Sequence, residues 1–375
     1  MRHNSILICL IFLSLCLASV SISAQTKAFI ETNRQTEKVD AFVREKMTAN
    51  HIPGLSLAVV RDGKIILAKG YGMANLELST PANEKTAFAI YSITKTFTAV
   101  ATMMLVEEGK ISLEDPISKH LANLPAVWSQ VNIRHLLTHT SGIRDFCEVP
   151  DSPCQQSRDF TQAEIIKFVA DYPLKLPSGE RWEYSNIGYF LLGMLIEKVS
   201  GKTYEQFLRT RIFAPLEMRD TRLENYNELV PNRAAGYTWK NGKFQNAWRV
   251  SPTLSFSLAG LVSTVLDLAK YDAALYTEKL LKKQTLDLMW TKARLNNGET
   301  VEHGLGFGMT PFRGHRRVGH SGGHTGFSTT VTRLIDHKLT VIVLSNADSA
   351  GYLKQPESFL ISEIANEIAS YYFIK

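Results

Sequence analysis

The chain has 375 residues, of which 45% are hydrophobic and 21% are charged, and it contains 23 glycines and 13 prolines. These values are typical of a globular protein and exclude a disordered, collagenous or low-complexity chain. The net charge is +6, but the basic residues are scattered without a run of five like charges, which argues against nucleic-acid binding.

Residues 1–24 follow the pattern of a secretory signal peptide. Arg2 precedes an apolar run over residues 6–17, and small residues end at Ala24. The run of 12 residues is shorter than the ~20 that span a bilayer, which argues against an uncleaved anchor. A lipid anchor at Cys16 is disfavoured because Leu15 stands where a small residue is normally needed. The sequence therefore predicts an exported protein, periplasmic or secreted, with no membrane span after signal cleavage.

The first predicted elements are a helix ending near residues 51–54 and a β-hairpin. The hairpin joins apolar strands over residues 55–60 and 64–68 through Asp62 and Gly63, a strong turn signal. An amphipathic helix follows from Phe97, with apolar residues at helical spacing and a stop at Gly109. Helical periodicity then continues to about residue 290, including residues 163–169 and 187–199.

The C-terminal part returns to strands. Residues 329–332 and 339–344 read as consecutive antiparallel strands, and an amphipathic helix follows from Leu360. Because two strands alone make a marginal sheet, we expect the early hairpin to pair with the late strands. The prediction is an α/β (α+β) fold in which an antiparallel sheet is flanked by helices. Residues 25–375 would form one domain, with a sheet subdomain over about 27–91 and 295–375 and a helical subdomain inserted over about 92–294.

Two cysteines remain after the signal peptide, Cys147 and Cys154. They lie seven residues apart in a stretch rich in turn-forming residues. In an oxidising compartment this spacing favours a disulfide, and two free thiols are the alternative.

The first candidate for chemistry is Ser92-x-x-Lys95 at the start of the helix that follows the hairpin. The structural alternative is that Ser92 caps the helix. However, a cation in the first turn opposes the helix dipole, so Lys95 is a poor partner for a purely structural cap. A lysine with a lowered pKa could instead take the proton from the serine hydroxyl, and the helix terminus offers N–H groups to an oxyanion.

The second candidate is Tyr184-x-Asn186, in a turn before the helix that begins near Ile187. A lysine ammonium favours the phenolate of a neighbouring tyrosine, which makes Tyr184 a candidate general base. Asn186 could orient a lysine or a substrate carbonyl. The structural alternative is an aromatic packing residue followed by a helix cap.

The third candidate is a glycine-rich stretch over residues 319–328, leading into the late strands. His320, Ser321, Gly322 and Gly323 would bring backbone close to a substrate, with His320 supplying a hydrogen bond or a positive charge near a substrate carboxylate. A glycine-rich hairpin turn is the structural alternative. The triplet starting at His324 matches the same pattern, but His320 is preferred because a short predicted strand precedes it.

With these three motifs in this order and spacing, the chain resembles the serine β-lactamase and penicillin-binding protein superfamily, in its class C β-lactamase-like branch. Residues 136–142, 259–264 and 326–328 also resemble that family. The resemblance implies the fold described above, with the active site in the cleft between the subdomains. It also implies roles for the motif residues: Ser92 is the nucleophile, Lys95 and Tyr184 are the acid/base pair, and Asn186 positions the substrate and the lysine. The N–H groups of Ser92 and Gly323 would form the oxyanion hole.

One motif departs from the class C pattern. Those β-lactamases carry Lys-Thr-Gly where this chain has His320-Ser321-Gly322. A histidine there is more similar to D,D-carboxypeptidases, D-amino-acid amidases and esterases of the same fold. The departure puts efficient β-lactam hydrolysis in doubt but leaves the acylation chemistry intact.

Three other functions compete with this one. Residues 319–323 also match a Gly-x-Ser-x-Gly elbow with Ser321 as nucleophile, although only Asp336 and His337, adjacent to each other, could complete its triad. A metal site could use His315, His320 and His324, or His135 and His139. A non-catalytic protein that binds penicillin or peptidoglycan is the third alternative.

The sequence thus predicts an exported serine hydrolase that cleaves amide or ester bonds through a Ser92 acyl-enzyme and needs no cofactor. Its substrate would be a small molecule or peptide: a peptidoglycan peptide, a β-lactam, a D-amino-acid peptide or an ester.

Overall fold

The computed structural model describes residues 34–348 and 360–373. The predicted signal peptide lies outside these residues. Within the described ranges, no helix combines the length and apolar character needed to cross a membrane.

The centre of the molecule is a six-stranded antiparallel sheet in the order β3-β2-β1-β11-β10-β9. The early hairpin supplies one half and the late strands the other, so the predicted pairing is confirmed. The strands are β1 (Gly54–Arg61), β2 (Lys64–Asn75), β3 (Thr80–Pro81), β9 (Arg317–His324), β10 (Phe327–Leu334) and β11 (Leu339–Ser345).

Helices cover both faces of this sheet, which explains why its central strands are buried along almost their whole length. Alternate side chains of a strand point to opposite faces. Leu57 and Val341 accordingly pack with the first helix, α1 (34–49), and the last, α10 (Leu360–Phe373), while Ala58 and Ile342 join the larger core on the other face.

The segment between the sheet halves is mainly helical. Its helices are α2 (Thr94–Glu107), α3 (Ile133–Leu137), α4 (Gln162–Ala170), α5 (Asn186–Ser200), α6 (Tyr204–Leu208), α7 (Pro252–Ala259), α8 (Val265–Ala274) and α9 (Lys283–Met289). Short strands form two small sheets: β4 (Phe88–Ala89), β5 (Arg222–Leu223) and β8 (Leu261–Ser263) in one, and β6 (Tyr237–Lys240) with β7 (Lys243–Asn246) in the other.

Helix α2 differs from the amphipathic helix that the sequence predicted. All residues from 94 to 105 are buried, because α5, α6 and α7 pack around it. It ends as predicted before Gly109, whose φ of +67° suits a residue without a side chain. A helix enclosed on all sides gives its first turn, which carries the candidate lysine, a desolvated environment.

A buried ion pair links helix α8 to the sheet. The Arg333 guanidinium on β10 donates to the Asp272 carboxylate on α8 at 2.6 Å, and both side chains are almost completely buried. The Thr340 hydroxyl on β11 donates to the same carboxylate oxygen at 2.9 Å. Each buried charge therefore has an opposite charge beside it, which offsets part of the cost of its burial.

Candidate active site

Ser92 lies in a short 3-10 turn, Tyr91–Ile93, that leads directly into α2. Its hydroxyl makes no capping hydrogen bond to this turn or to α2, so the structural explanation of Ser92 as a helix cap is wrong. Tyr91 has a φ of +43°, a conformation that a bulky residue rarely adopts. The strained residue immediately before the serine is consistent with a turn built to present the hydroxyl.

Lys95 lies one helical turn after Ser92 and points its amine at the serine. Its Nζ is 3.2 Å from Ser92 Oγ and also contacts Asn186 Oδ1 and the Leu258 carbonyl oxygen, each at 3.0 Å. The side chain is fully buried, and this desolvation lowers the pKa of Lys95 to about 7, although the nearby Asp145 carboxylate acts in the opposite direction. At neutral pH a large share of Lys95 is therefore uncharged and able to accept a proton.

Asn186 is the first residue of α5, and Asp145 fixes its backbone. The Asp145 carboxylate accepts hydrogen bonds from the N–H groups of Asn186, Ile187 and Cys147. Ser185 caps the helix by accepting from the Gly188 N–H at 3.2 Å. This double anchoring holds the Asn186 amide oxygen against the Lys95 amine.

Tyr184 lines the same cavity as Ser92, a space of about 260 Å³. The Lys95 Nζ lies 4.8 Å from the centre of the Tyr184 ring. The ring also packs against His139, with ring centres 4.5 Å apart. The structure therefore brings the residues of the first two motifs together.

Strand β9 forms one wall of the Ser92 cavity. It passes so near the serine that only glycine fits at position 322. A Cβ at Gly322 would overlap the Ile90 carbonyl oxygen and lie 2.8 Å from the Ser92 backbone nitrogen. Gly319 exchanges two hydrogen bonds with Gly308, on the side of β9 away from β10. Because alternate residues of a strand share this direction, the N–H of Gly323 also faces the open edge, beside the Ser92 turn.

His320 lies in the middle of β9 and lines the Ser92 cavity. Its Nδ1 donates to the Ser321 carbonyl oxygen at 2.6 Å. Burial and the neighbouring Lys95 lower the pKa of His320 to about 4, so the imidazole is neutral at pH 7. The sequence predicted that His320 supplies either a hydrogen bond or a positive charge to a substrate carboxylate. At neutral pH the positive charge is wrong, and a hydrogen bond is the role that is left.

The rival motifs do not assemble into sites. The Ser321 hydroxyl bonds to the hydroxyls of Thr330 and Ser362, while His337 pairs with His315. His324 lies at the end of β9, with its ring 5.6 Å from that of Tyr91. Within residues 34–348 and 360–373, no cluster of three or more His, Cys, Asp or Glu side chains is arranged to hold a metal.

Two buried histidines, His139 and His303, extend the cluster of rings that contains Tyr184 and His320. The His139 ring lies 4.8 Å from that of His303, and burial lowers the pKa of both, that of His303 to about 3. His139 Nδ1 accepts from the Ser185 N–H at 3.0 Å. In the sequence, His139 stood only in the family-like segment over residues 136–142 and in the metal alternative with His135. Nothing in the sequence singled out His303 or the anchoring role of Asp145.

Cys147 and Cys154 form a disulfide with their Cα atoms 5.3 Å apart. The bond lies beside the site, because Asn186 Nδ2 is 4.0 Å from Cys147 Sγ.

A model of the family described as Beta-lactamase matches residues 39–361. The chain belongs to the Beta-lactamase family. A similar relative is a penicillin-binding protein of Bacillus subtilis (strain 168), 33% identical over 305 residues, which cover 76% of this chain and 66% of that protein. The chain thus spans just under two thirds of this relative.

Solved structures of the same fold cover most of the chain. One is the octameric penicillin-binding protein homologue from Pyrococcus abyssi, with a TM-score of 0.77 and 33% identity, covering 89% of this chain and 76% of that one. Another is a D-amino acid amidase from Ochrobactrum anthropi SV3 complexed with L-phenylalanine amide. It has a TM-score of 0.77 and 27% identity, and the match covers 90% of this chain and 98% of the amidase. The Beta-lactamase family match and the similarity to an amidase structure support a hydrolase.

Proposed function

We propose that this protein is an exported serine hydrolase that cleaves amide or ester bonds through an acyl-enzyme on Ser92. The observation that carries the proposal is the Lys95 amine, 3.2 Å from Ser92 Oγ and fully buried, with a pKa lowered to about 7. A serine hydroxyl is a weak nucleophile until an adjacent base accepts its proton. Here the base is already in place.

In acylation, Lys95 and Tyr184 accept the Ser92 proton while Oγ attacks the substrate carbonyl. The negative charge on the carbonyl oxygen is stabilised by the N–H groups of Ser92 and Gly323. The tetrahedral intermediate collapses, the bond to the leaving group breaks, and the leaving amine or alcohol takes the proton from the acid/base pair. Water then attacks the acyl-enzyme with the same pair acting in reverse, which releases the acid and restores the Ser92 hydroxyl.

At the His320 position the cavity wall is neutral, which favours substrates without a free carboxylate beside the scissile bond. A neutral imidazole donates or accepts a hydrogen bond but cannot pair electrostatically with a carboxylate, as a lysine at that position would. The similarity to a D-amino acid amidase supports the same choice. Amides and esters of D-amino acids are therefore the favoured substrates. The alternative is a D-alanyl-D-alanine carboxypeptidase or a non-catalytic penicillin-binding protein. The similarity to penicillin-binding proteins supports this alternative.

The disulfide supports export. Structural disulfides persist in oxidising compartments such as the periplasm or the extracellular space. Together with the predicted signal peptide, the disulfide supports a periplasmic or secreted location for the mature protein.

Two measurements on the purified mature protein test the proposal. One is its intact mass after exposure to a fluorescent penicillin, and the other is its rate of p-nitrophenyl ester hydrolysis. Ser92→Ala and Ser321→Ala are the matched variants. Ester turnover that Ser92→Ala abolishes and Ser321→Ala retains is the expected result. A stable penicillin adduct on Ser92 would move the assignment to a carboxypeptidase. Wild-type turnover in Ser92→Ala would refute the mechanism.

A further inference from the structure

His139 is a buried polar residue with an unusual backbone conformation, and it belongs to none of the three catalytic motifs. It lies two residues after the end of α3 and is only 1% exposed. Its φ is +58°, in the left-handed region that histidine adopts more readily than most residues with a side chain. Strained backbone of this kind clusters at functional sites, so its contacts were followed towards the catalytic residues.

Two hydrogen bonds connect His139 to the segment that carries Tyr184. The His139 carbonyl oxygen accepts from the Glu183 N–H at 2.8 Å, and its ring nitrogen Nδ1 accepts from the Ser185 N–H at 3.0 Å. The two donors are the residues immediately before and after Tyr184. His139 therefore fixes the backbone on both sides of the tyrosine.

The His139 side chain also supports the Tyr184 ring. The two ring centres lie 4.5 Å apart, with 32° between the ring planes. The rings of Tyr189 and His303 pack against the same imidazole, with centres at 5.0 and 4.8 Å. The surface on which the Tyr184 ring rests is therefore itself held in place.

The imidazole must be neutral for Nδ1 to accept the Ser185 N–H. Burial lowers the pKa of His139 well below its usual value, and the neighbouring His303 and Lys95 act in the same direction. An apolar side chain could fill the same space. It would, however, leave the buried Ser185 N–H without this acceptor, which is costly. The contact with Ser185 therefore accounts for a polar residue at this position.

We propose that His139 is a positioning residue for Tyr184 and holds its ring in the orientation that proton transfer from Ser92 requires. It acts through the tyrosine rather than on the serine itself. A displaced Tyr184 slows acylation, because small displacements of reacting groups are costly. As a statement about mechanism, this inference rests on the proposed function of Ser92.

Two substitutions at position 139 test the role of the acceptor. His139→Gly suits the positive φ but removes Nδ1, and we expect kcat/KM for a p-nitrophenyl ester to fall about a hundredfold. His139→Asn also tolerates a positive φ and carries an acceptor oxygen as far along the side chain as Nδ1. It should recover at least about tenfold of that loss. If His139→Gly fails to fold, His139→Leu replaces it, because leucine has the shape of asparagine without the acceptor.

His135→Ala is the matched control. The Nδ1 of His135 also accepts a backbone N–H, that of Asn132 at 3.3 Å, one helical turn earlier in the chain. This bond closes the start of α3 and does not reach the segment that carries Tyr184. The substitution should lower the melting temperature and leave kcat/KM unchanged.

A double-mutant cycle tests whether His139 acts through the tyrosine. Substitutions that remove the same interaction are not additive. His139→Gly should therefore cost less than about threefold when it is added to Tyr184→Phe. The slow variants are compared by the rate at which a fluorophosphonate labels Ser92, followed by intact mass. Equal losses in the wild-type and Tyr184→Phe backgrounds, or no recovery in His139→Asn, would overturn the inference.

Ser92→Ala separates this inference from the proposed function. Wild-type ester turnover in Ser92→Ala would refute both. Turnover that depends on Ser92 but is unchanged in His139→Gly would refute the positioning role alone.

Discussion

Lys95 shows how burial makes a reactive group from an ordinary side chain. The sequence identified Lys95 from its spacing to Ser92 and its unfavourable place at a helix start. What lowers its pKa is the burial of the first turn of α2 among neighbouring helices. The buried amine contacts Asn186 and Leu258 on two of these helices. Those contacts join residues 91 and 163 positions apart, which no local pattern in the sequence reports.

The pH dependence of acylation follows from this burial. The deprotonated Lys95 is the form that accepts the serine proton, so kcat/KM for a neutral ester should rise with pH and reach half its plateau near pH 7. Asp145 raises the pKa of Lys95, and Asp145→Asn should therefore shift this rise to lower pH. Stopped-flow rates between pH 5 and about 9 would check both. A flat profile would exclude Lys95 as the proton acceptor.

The close packing around Gly322 leads to a second prediction at the residue scale, a loss of activity in Gly322→Ala. Gly322→Ala places a methyl group against the Ile90 carbonyl and the Ser92 nitrogen, which pushes β9 away from the nucleophile. We expect kcat/KM to fall by about a hundredfold, because small displacements of reacting groups are costly. Gly109→Ala is the control: it strains a positive φ but lies in open space, so it should lower the melting temperature and leave kcat unchanged.

At the scale of elements, strands and helix ends were predictable where apolar residues recur at a regular spacing or a glycine ends the pattern. The hairpin through Gly63, the end of α2 before Gly109 and the union of the early hairpin with the late strands in one sheet all follow from such patterns. The burial of α2 on every side did not, since it depends on which helices surround it. Similarly, His303 lies in a loop without a regular spacing of apolar residues, so the sequence did not predict its position beside His139.

The disulfide between Cys147 and Cys154 stabilises one such loop, which carries Asp145 towards α5. Replacing both cysteines by serine should lower the free energy of unfolding by about 2 kcal/mol, from the lost restriction of a short loop in the unfolded chain. Denaturant unfolding of the variant beside the oxidised wild type measures this. An unchanged midpoint would mean that the loop is held by its other contacts alone.

At the scale of the whole molecule, the Arg333–Asp272 pair connects helix α8 to the sheet. Asp272→Asn leaves a buried guanidinium without its counter-charge and should lower the free energy of unfolding by about 3–5 kcal/mol. Asp287→Asn, which breaks the exposed pair with Lys283, should cost less than about 1 kcal/mol. Thermal unfolding of both variants makes the comparison, and equal losses would contradict the role given to burial.

The layered arrangement as a whole was predictable because strands lie at both ends of the sequence and helices between them. The lateral order of the strands was not fully specified, since alternating apolar residues show which face is buried but do not identify a neighbour. The connection between α8 and the sheet was also hidden, because Asp272 and Arg333 read as ordinary surface charges in a sequence.

The pairing of β1 with β11 also bears on how the protein is made. These two strands lie side by side at the centre of the sheet, yet residues 55 and 345 are paired across almost 300 positions of chain. Contacts between such distant segments form late and slowly during folding. A ribosome must therefore synthesise every residue from β1 to β11 before the central strand pair can form, and until then one edge of β1 lacks its neighbour.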